Sequence, residues 1–139
     1  MNRNDLVYVC SPLYAPTREG IAENMEKARA YAELVSGHFK CRAIAPHSFL
    51  PDYLDDNIPQ EREIGLAFGL SVLKLSKAVV VCGDRISKGM QGEIRLAREL
   101  DIPVYALVNP AGGIGLLRII AKEKENEVQI CKDNLSQQG

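Results

Sequence analysis

The chain has 139 residues, of which 46% are hydrophobic, and its composition does not change along its length. These values favour one globular domain with a substantial core rather than two domains. Lys and Arg together number 17 against 18 for Asp and Glu, which gives a net charge of −1. Because no broad positive field exists, we expect neither a nucleic-acid polymer nor a membrane as a partner.

The four cysteines, Cys10, Cys41, Cys82 and Cys131, are widely separated and form no CxxC pair, which argues against a zinc site. Three of them lie in apolar runs, where a thiol packs as a small hydrophobic side chain and suits a reducing compartment. No stretch approaches the roughly 20 apolar residues that span a bilayer. We therefore expect a cytoplasmic protein that binds no metal ion.

The first half of the chain predicts two strands, each followed by a helix. The run from Asp5 to Ser11 is a short apolar strand, and apolar residues spaced three and four apart predict a helix from Ile21 to about Phe39. Cys41 to Pro46 is the second predicted strand, followed by the polar loop "HSFLPDYLDDNIP". From Gln60, "QEREIGLAFGLSVLKLS" predicts a helix that is apolar nearly all round, which indicates deep burial or a subunit contact.

The second half continues the alternation of strands and helices. The continuous apolar run "AVVVCG" (Ala78 to Gly83) predicts a central parallel strand, and a helix from about Gly89 to Leu100 precedes the fourth strand, "VYALV". We interpret "GGIGLLRIIAKEKENEV" as a last helix and residues 131–139 as a flexible tail, so that residues 1–130 form one domain. The alternation predicts a three-layer α/β domain, Rossmann-like (flavodoxin-like), with a parallel sheet of four to five strands.

Ligands of such domains bind beyond the carboxyl ends of the strands. After the first strand, Ser11, Tyr14 and Arg18 offer a hydroxyl for a sugar, an aromatic face for a base and a cation for a phosphate, although turn-forming residues are an equally simple interpretation. His47, directly after the second strand, is a weaker candidate because a lone histidine more often makes a structural hydrogen bond. The first loop matches neither a Walker A nor a GxGxxG pattern, which excludes nucleoside triphosphatases and nicotinamide dehydrogenases.

The loop after the third strand leads into a helix whose unpaired N–H groups could hold an anion. Ser87 and Gly89 lie at the start of this helix, and Ser87 is also suited to be a simple N-cap; the two roles are compatible. Asp84 and Met90 flank the same position. We take these four residues as candidate substrate contacts.

Glu93 lies in the second turn of that helix, and helical side chains lean back toward the N-terminus. Gly89 and Gly92 leave space above its carboxylate, and a glycine inside a helix costs about 1 kcal/mol relative to alanine. This cost indicates a reason to keep the space open. The alternative is a routine surface ion pair with Arg95 or Arg98.

Four segments, "VYVCSPLY", "IAPHSFLPDYLDD", "REIGLAFGL" and "VVVCGDRISKGMQGEIRLARELDIPV", together resemble the nucleoside 2-deoxyribosyltransferase superfamily, particularly its small uncharacterised bacterial and phage members. The similarity covers about Leu6 to Leu107. In characterised relatives, the glutamate of the pattern Asp/Ser-x-Gly-x-x-x-Glu attacks the anomeric carbon of a nucleoside, and this motif assigns that role to Glu93. The resemblance therefore implies a covalent glycosyl-enzyme intermediate and no cofactor.

The first position of the motif differs between branches of this superfamily. Transferases have an aspartate that contacts the 5′ hydroxyl, whereas deoxynucleoside 5′-phosphate N-hydrolases have a serine that contacts the 5′ phosphate. Ser87, together with Arg18, favours nucleoside 5′-monophosphates. The transferases also have a second aspartate, which assists departure of the base. In this chain the candidates for that role are Glu61, Glu63 and Asp84.

The resemblance also implies a partner, because family members commonly complete the site with a neighbouring subunit. We therefore expect a homodimer or a larger homo-oligomer. The main alternative to an enzyme is a nucleotide-binding or sensing module that kept the pocket and lost turnover. A third possibility is a family member acting on another ribosylated metabolite.

Overall fold

The computed structural model describes residues 2–109, 113–121 and 128–131. The strands are β1 (Leu6–Cys10), β2 (Arg42–Ile44), β3 (Ala78–Val81), β4 (Val104–Val108), β5 (Gly115–Ala121) and β6 (Val128–Cys131). The helices are α1 (Arg18–Phe39), α2 (Leu50–Tyr53), α3 (Pro59–Leu75) and α4 (Lys88–Glu99), with a 3₁₀ turn at Pro46–Ser48. The segment after β2, predicted as a loop, thus contains a 3₁₀ turn and a short helix.

The six strands form one sheet in the order β2-β1-β3-β4-β5-β6. The first four strands of this order are parallel to one another, whereas β5 and β6 are antiparallel to their neighbours. The strand order reverses between β1 and β3, which is the point where doubly wound sheets bind ligands. The predicted α/β class and flavodoxin-like arrangement are confirmed, with two antiparallel strands added at one edge.

Side chains alternate along each strand, so the sheet has apolar side chains on both faces. Helices cover both of these faces. On one face, Val7 and Val9 of β1 pack in the same core cluster as α1. On the other face, Tyr8 and Cys10 pack with α3 and α4. The α1 residues in the first cluster are Ala28, Val35 and Phe39, and the helical residues in the second are Leu73, Met90, Ile94 and Ala97.

The predicted last helix is wrong, because Gly115–Ala121 forms strand β5. This strand pairs with β4 through Tyr105↔Arg118 and its neighbours, and with β6 on its other side. A short apolar run does not distinguish a strand from a helix by periodicity, and pairing satisfies backbone groups that β4 would otherwise expose at the sheet edge. Of the predicted tail, Cys131 belongs to β6 and residues 132–139 lie outside the described residues.

Helix α3 is far less buried within one chain than its apolar composition suggests. Leu73 is its one fully buried residue. Ile64, Phe68 and Leu75, which follow one another at helical spacing, expose 55%, 38% and 72% of their surfaces. Deep burial is therefore wrong for the single chain, and the subunit contact is the remaining interpretation of the sequence.

Candidate active site

The carboxylate of Glu93 is held by two side chains of β1. The Tyr8 hydroxyl donates a hydrogen bond of 2.6 Å to Oε2 of Glu93. The Cys10 thiol donates to Oε1, with 3.1 Å between sulfur and oxygen. Glu93 itself is half-buried. Both oxygens of a partly accessible carboxylate are thus fixed from the strand beneath it.

The three residues meet because of the strand period and the order of the sheet. Tyr8 and Cys10 are two positions apart in β1 and therefore point to the same face. β3 lies beside β1, and α4, which follows β3, packs on this face through Met90 and Ile94. The second turn of α4 consequently places Glu93 over the carboxyl half of β1.

Burial and the neighbouring charge keep both donors protonated. Burial raises the pKa of the Tyr8 hydroxyl far above its usual range, and the Glu93 carboxylate raises it further. Burial, followed by the same carboxylate, raises the pKa of the Cys10 thiol well above its ordinary value. At neutral pH both groups remain donors and Glu93 is their acceptor.

Glycines lie on both helices that cover this face of the sheet. A Cβ atom added at Gly69 of α3 would lie 3.5 Å from the Tyr8 hydroxyl oxygen, so the α3 backbone comes close to that hydroxyl. A Cβ atom added at Gly89 or Gly92 would have no heavy atom within 4 Å. Both glycines are exposed, so the space beside them is open to solvent. The ion pairs considered for Glu93 with Arg95 or Arg98 are absent from the described residues, where its partners lie on β1.

Ser87 is the N-cap of α4, as predicted. Its Oγ accepts a hydrogen bond of 3.3 Å from the backbone N–H of Met90. The hydroxyl hydrogen of Ser87 is not used in that contact and can be donated to a ligand. Met90 itself is corrected to a core residue, because its side chain is fully buried, and its sulfur accepts the N–H of Ser87 at 3.3 Å.

The predicted contacts that follow β1 differ in burial: Ser11 is buried, whereas Tyr14 and Arg18 are exposed. Ser11 is 2% exposed, and its Oγ has no hydrogen-bond partner among the described residues. Its carbonyl oxygen accepts a hydrogen bond of 3.2 Å from Nδ1 of His47, which must carry the proton because a carbonyl only accepts. His47 thus anchors the segment after β2 to the end of β1. Tyr14 and Arg18 are exposed, and Arg18 begins α1.

Asp84 lies on the side of the sheet away from Glu93. It lines a cleft of about 670 Å³ together with Lys27 and Tyr31 of α1 and Arg85. The pKa of Tyr31 is raised, first by burial and then by electrostatic interaction with Cys82 and Asp84. Because α1 covers the face opposite α4, Asp84 belongs to a cleft on the side of the sheet away from Glu93.

None of the three candidates for a second carboxylate contacts Glu93 in the part of the chain that is described. Oε1 of Glu61 accepts a hydrogen bond of 2.7 Å from the backbone N–H of Asp55, which ties the segment before α3 to that helix. Glu63 is exposed, and Asp84 lies in the cleft on the opposite side of the sheet.

Two kinds of feature are absent from the described residues. No group of three or more His, Cys, Asp or Glu side chains there is arranged to hold a metal ion. The helices of the same residues are all too short or too polar to cross a membrane.

Sequence reasoning missed Tyr8 and Cys10. The signal for Tyr8 was a phenolic hydroxyl inside an apolar strand, because a buried tyrosine usually has a hydrogen-bond partner. The alternation of the strand placed Cys10 on the same face. The sequence could not name Glu93 as the partner, since Tyr8 and Glu93 are 85 positions apart.

The architecture is that of the nucleoside 2-deoxyribosyltransferase fold. It is similar to the 2-deoxyribosyltransferase of the psychrotolerant bacterium Bacillus psychrosaccharolyticus, with a TM-score of 0.56 and 17% identity over 73% of this chain and 70% of that one. At this identity the similarity concerns the fold alone. Residues 5–107 match the family described as Domain of unknown function (DUF7768), and the chain belongs to that family. No curated protein matches the sequence.

Proposed function

We propose that this protein is an enzyme that cleaves the N-glycosidic bond of a (deoxy)nucleoside or its 5′-monophosphate, with Glu93 as the nucleophile. The observation that carries the proposal is the double hydrogen bond from Tyr8 and Cys10 to a half-buried carboxylate beside open space. The shared fold of a 2-deoxyribosyltransferase supports the same class of reaction.

The reaction proceeds in two displacements. An oxygen of Glu93 attacks C1′ of the sugar, the C1′–N bond breaks, and the base leaves with the electron pair and takes up a proton from water. Water or a second base then attacks C1′ and gives up its proton to solvent, and the bond from C1′ to the Glu93 oxygen breaks, which restores the carboxylate. The donors from Tyr8 and Cys10 stabilise the carboxylate before attack and again as it leaves.

The phosphorylated substrate is favoured by the starts of two helices. Ser87 caps α4, whose first N–H groups have no acceptor within the helix, and Arg18 begins α1. Both helices follow neighbouring parallel strands, β3 and β1, so they begin at the same edge of the sheet. A 5′ phosphate at the start of α4 would meet the Ser87 hydroxyl and backbone N–H groups, and Arg18, at the same edge but on the helix that covers the opposite face, is the candidate for a guanidinium partner.

A homo-oligomer is part of the proposal. The exposed stripe of α3, made of Ile64, Phe68 and Leu75, is an apolar surface of the kind that subunits cover. Phe68 also packs edge-to-face on Phe49, with ring centroids 5.8 Å apart, which extends the apolar surface toward the segment after β2. A second copy on this stripe would pack against α3, the helix whose Gly69 lies close to the Tyr8 hydroxyl.

The direct test incubates the protein with a panel of nucleosides and deoxynucleosides, with and without a 5′ phosphate. Chromatography then measures the free base that is released. We expect the wild type to release free base from at least one compound and Glu93→Gln to release none. Glu99→Gln, an exposed acid on the same helix, is the matched control and retains the wild-type rate. Release of base that survives Glu93→Gln would exclude the glutamyl intermediate. A ligand-induced thermal shift with no product from any compound would instead favour a binding module.

A further inference from the structure

We infer that Cys10 is a positioning residue for Glu93: its thiol fixes Oε1 so that the carboxylate presents one orientation to the open space beside α4. The inference rests on the proposed role of Glu93. It concerns a residue type that is not an expected partner of a nucleophilic carboxylate, and it follows from the contact between the two side chains.

The contact has a clear geometric consequence. The Tyr8 hydroxyl alone would hold Oε2 and leave the rest of the carboxylate able to pivot about that oxygen. The thiol of Cys10, 3.1 Å from Oε1, gives the second point that defines the carboxylate plane. Attack on C1′ requires aligned reacting atoms, so a fixed plane favours the chemical step more than substrate binding.

The chemistry of a thiol suits this task. Cys10 is 1% exposed, and burial together with the Glu93 charge keeps it protonated and therefore a donor. A thiol is a weak hydrogen-bond donor. It can orient Oε1 while leaving most of the negative charge on that oxygen.

The other cysteines with described side chains make different contacts. The Cys41 thiol lies 3.7 Å from the carbonyl oxygen of Val35, and the Cys82 thiol lies 3.9 Å from that of Val80. Among these three thiols, Cys10 is the one that contacts a carboxylate. Cys82, which is fully buried on the opposite face of the sheet, is therefore a matched control for loss of a buried thiol.

The kinetic test compares Cys10→Ala, Cys10→Ser and Cys82→Ala on the substrate that releases base. We expect Cys10→Ala to lower kcat about tenfold with little change in KM, since a hydrogen bond to a charged group is lost. Cys10→Ser restores a donor and recovers most of that loss, and Cys82→Ala keeps the wild-type kcat. An unchanged kcat in Cys10→Ala, or an equal loss in Cys82→Ala, would overturn the inference.

A spectroscopic test needs neither turnover nor a folded Cys10 variant. The infrared S–H stretching band of Cys10 lies at low frequency while the thiol donates to a carboxylate, and we expect it to move up in Glu93→Ala but not in Glu99→Ala. A band that does not respond to Glu93→Ala would overturn the inference even if base is released. A band that shifts while the wild type releases no base would refute the proposed function and leave the thiol–carboxylate contact established.

Discussion

The Tyr8 hydroxyl donates a 2.6 Å hydrogen bond to Oε2 of Glu93, joining the first strand to a helix 85 positions later in the chain. The bond joins β1 to the helix that follows β3, and the strand order reverses between β1 and β3, where ligands of this fold class bind. A tyrosine that remains protonated and a carboxylate that accepts from it form a pair with one fixed direction of donation.

Removing the hydroxyl in Tyr8→Phe should lower kcat for base release by roughly 10- to 100-fold, because hydrogen bonds to charged groups contribute about 1.5–3 kcal/mol. The variant keeps the aromatic ring, so its melting temperature should change far less than its activity. Tyr31→Phe, which removes a hydroxyl on the opposite face of the sheet, is the control. Equal rates in Tyr8→Phe and the wild type would show that the hydroxyl serves the fold and not the reaction.

The open space at Gly89 predicts a separation of stability from activity. A Cβ atom there meets nothing within 4 Å, so Gly89→Leu should fold at least as stably as the wild type, since glycine costs about 1 kcal/mol relative to alanine in a helix. The added side chain should occupy the place of the substrate and raise KM. Lys88→Leu, at the neighbouring exposed position, should leave KM unchanged. Unaltered steady-state kinetics in Gly89→Leu would place the substrate elsewhere.

Alanine at Gly83 should lower the free energy of unfolding, whereas alanine at Gly37 should raise it. Gly83 has φ of 104°, and a Cβ atom on it would lie 3.1 Å from Cδ of Pro12, so Gly83→Ala should lower the free energy of unfolding by about 1–3 kcal/mol. Gly37 lies inside α1 with no heavy atom near its added Cβ, so Gly37→Ala should raise it by about 0.5–1 kcal/mol. Urea denaturation of the two variants measures both, and a tolerated Gly83→Ala would contradict the tight exit from β3.

Alkaline pH should destabilise the fold. Burial raises the pKa of the Cys82 thiol from its ordinary 9.0 to about 12. Above the first value the unfolded thiol loses its proton while the folded thiol keeps it, so the stability present below pH 9.0 declines until the pH reaches about 12. Cys10 and Tyr8, whose pKa values are also raised by burial, act in the same direction.

The size of this effect follows from linkage. Each such group costs about 1.4 kcal/mol of unfolding free energy per pH unit within its window. Urea titrations at about pH 8 and about pH 10 should show the decline, and Cys82→Ala should show a smaller one. Identical declines in the wild type and Cys82→Ala would mean that the buried thiol does not contribute.

The apolar stripe of α3 predicts self-association. Ile64→Glu places a charge in the stripe and should shift the protein toward monomer in light scattering coupled to size-exclusion chromatography. Leu66→Glu changes an equally exposed leucine that lies about 160° away around the helix and should leave the assembly intact. A wild-type protein that is monomeric at all concentrations would refute the homo-oligomer.

Local patterns accounted for most of the fold and part of the site. The apolar runs of β1, β3 and β4 and the spacing within α1 predicted those elements, and the N-cap at Ser87 followed from its position before a helix. The run that became β5 was misjudged, because seven residues without a clear period take their conformation from the strand edge that they pair with.

What the sequence determined by itself is the place of Glu93: the second turn of a helix at the carboxyl edge of a parallel sheet, with glycines on that helix nearby. Helical and strand periods are local, so they could be read without the rest of the chain. Only the tertiary structure decided that Tyr8 and Cys10 hold its two oxygens. It also decided that Met90 is buried in the core, that His47 bonds to the Ser11 carbonyl and that Asp84 lines a cleft on the opposite face of the sheet. Those contacts depend on which face of the sheet each helix covers, and long-range packing sets that choice.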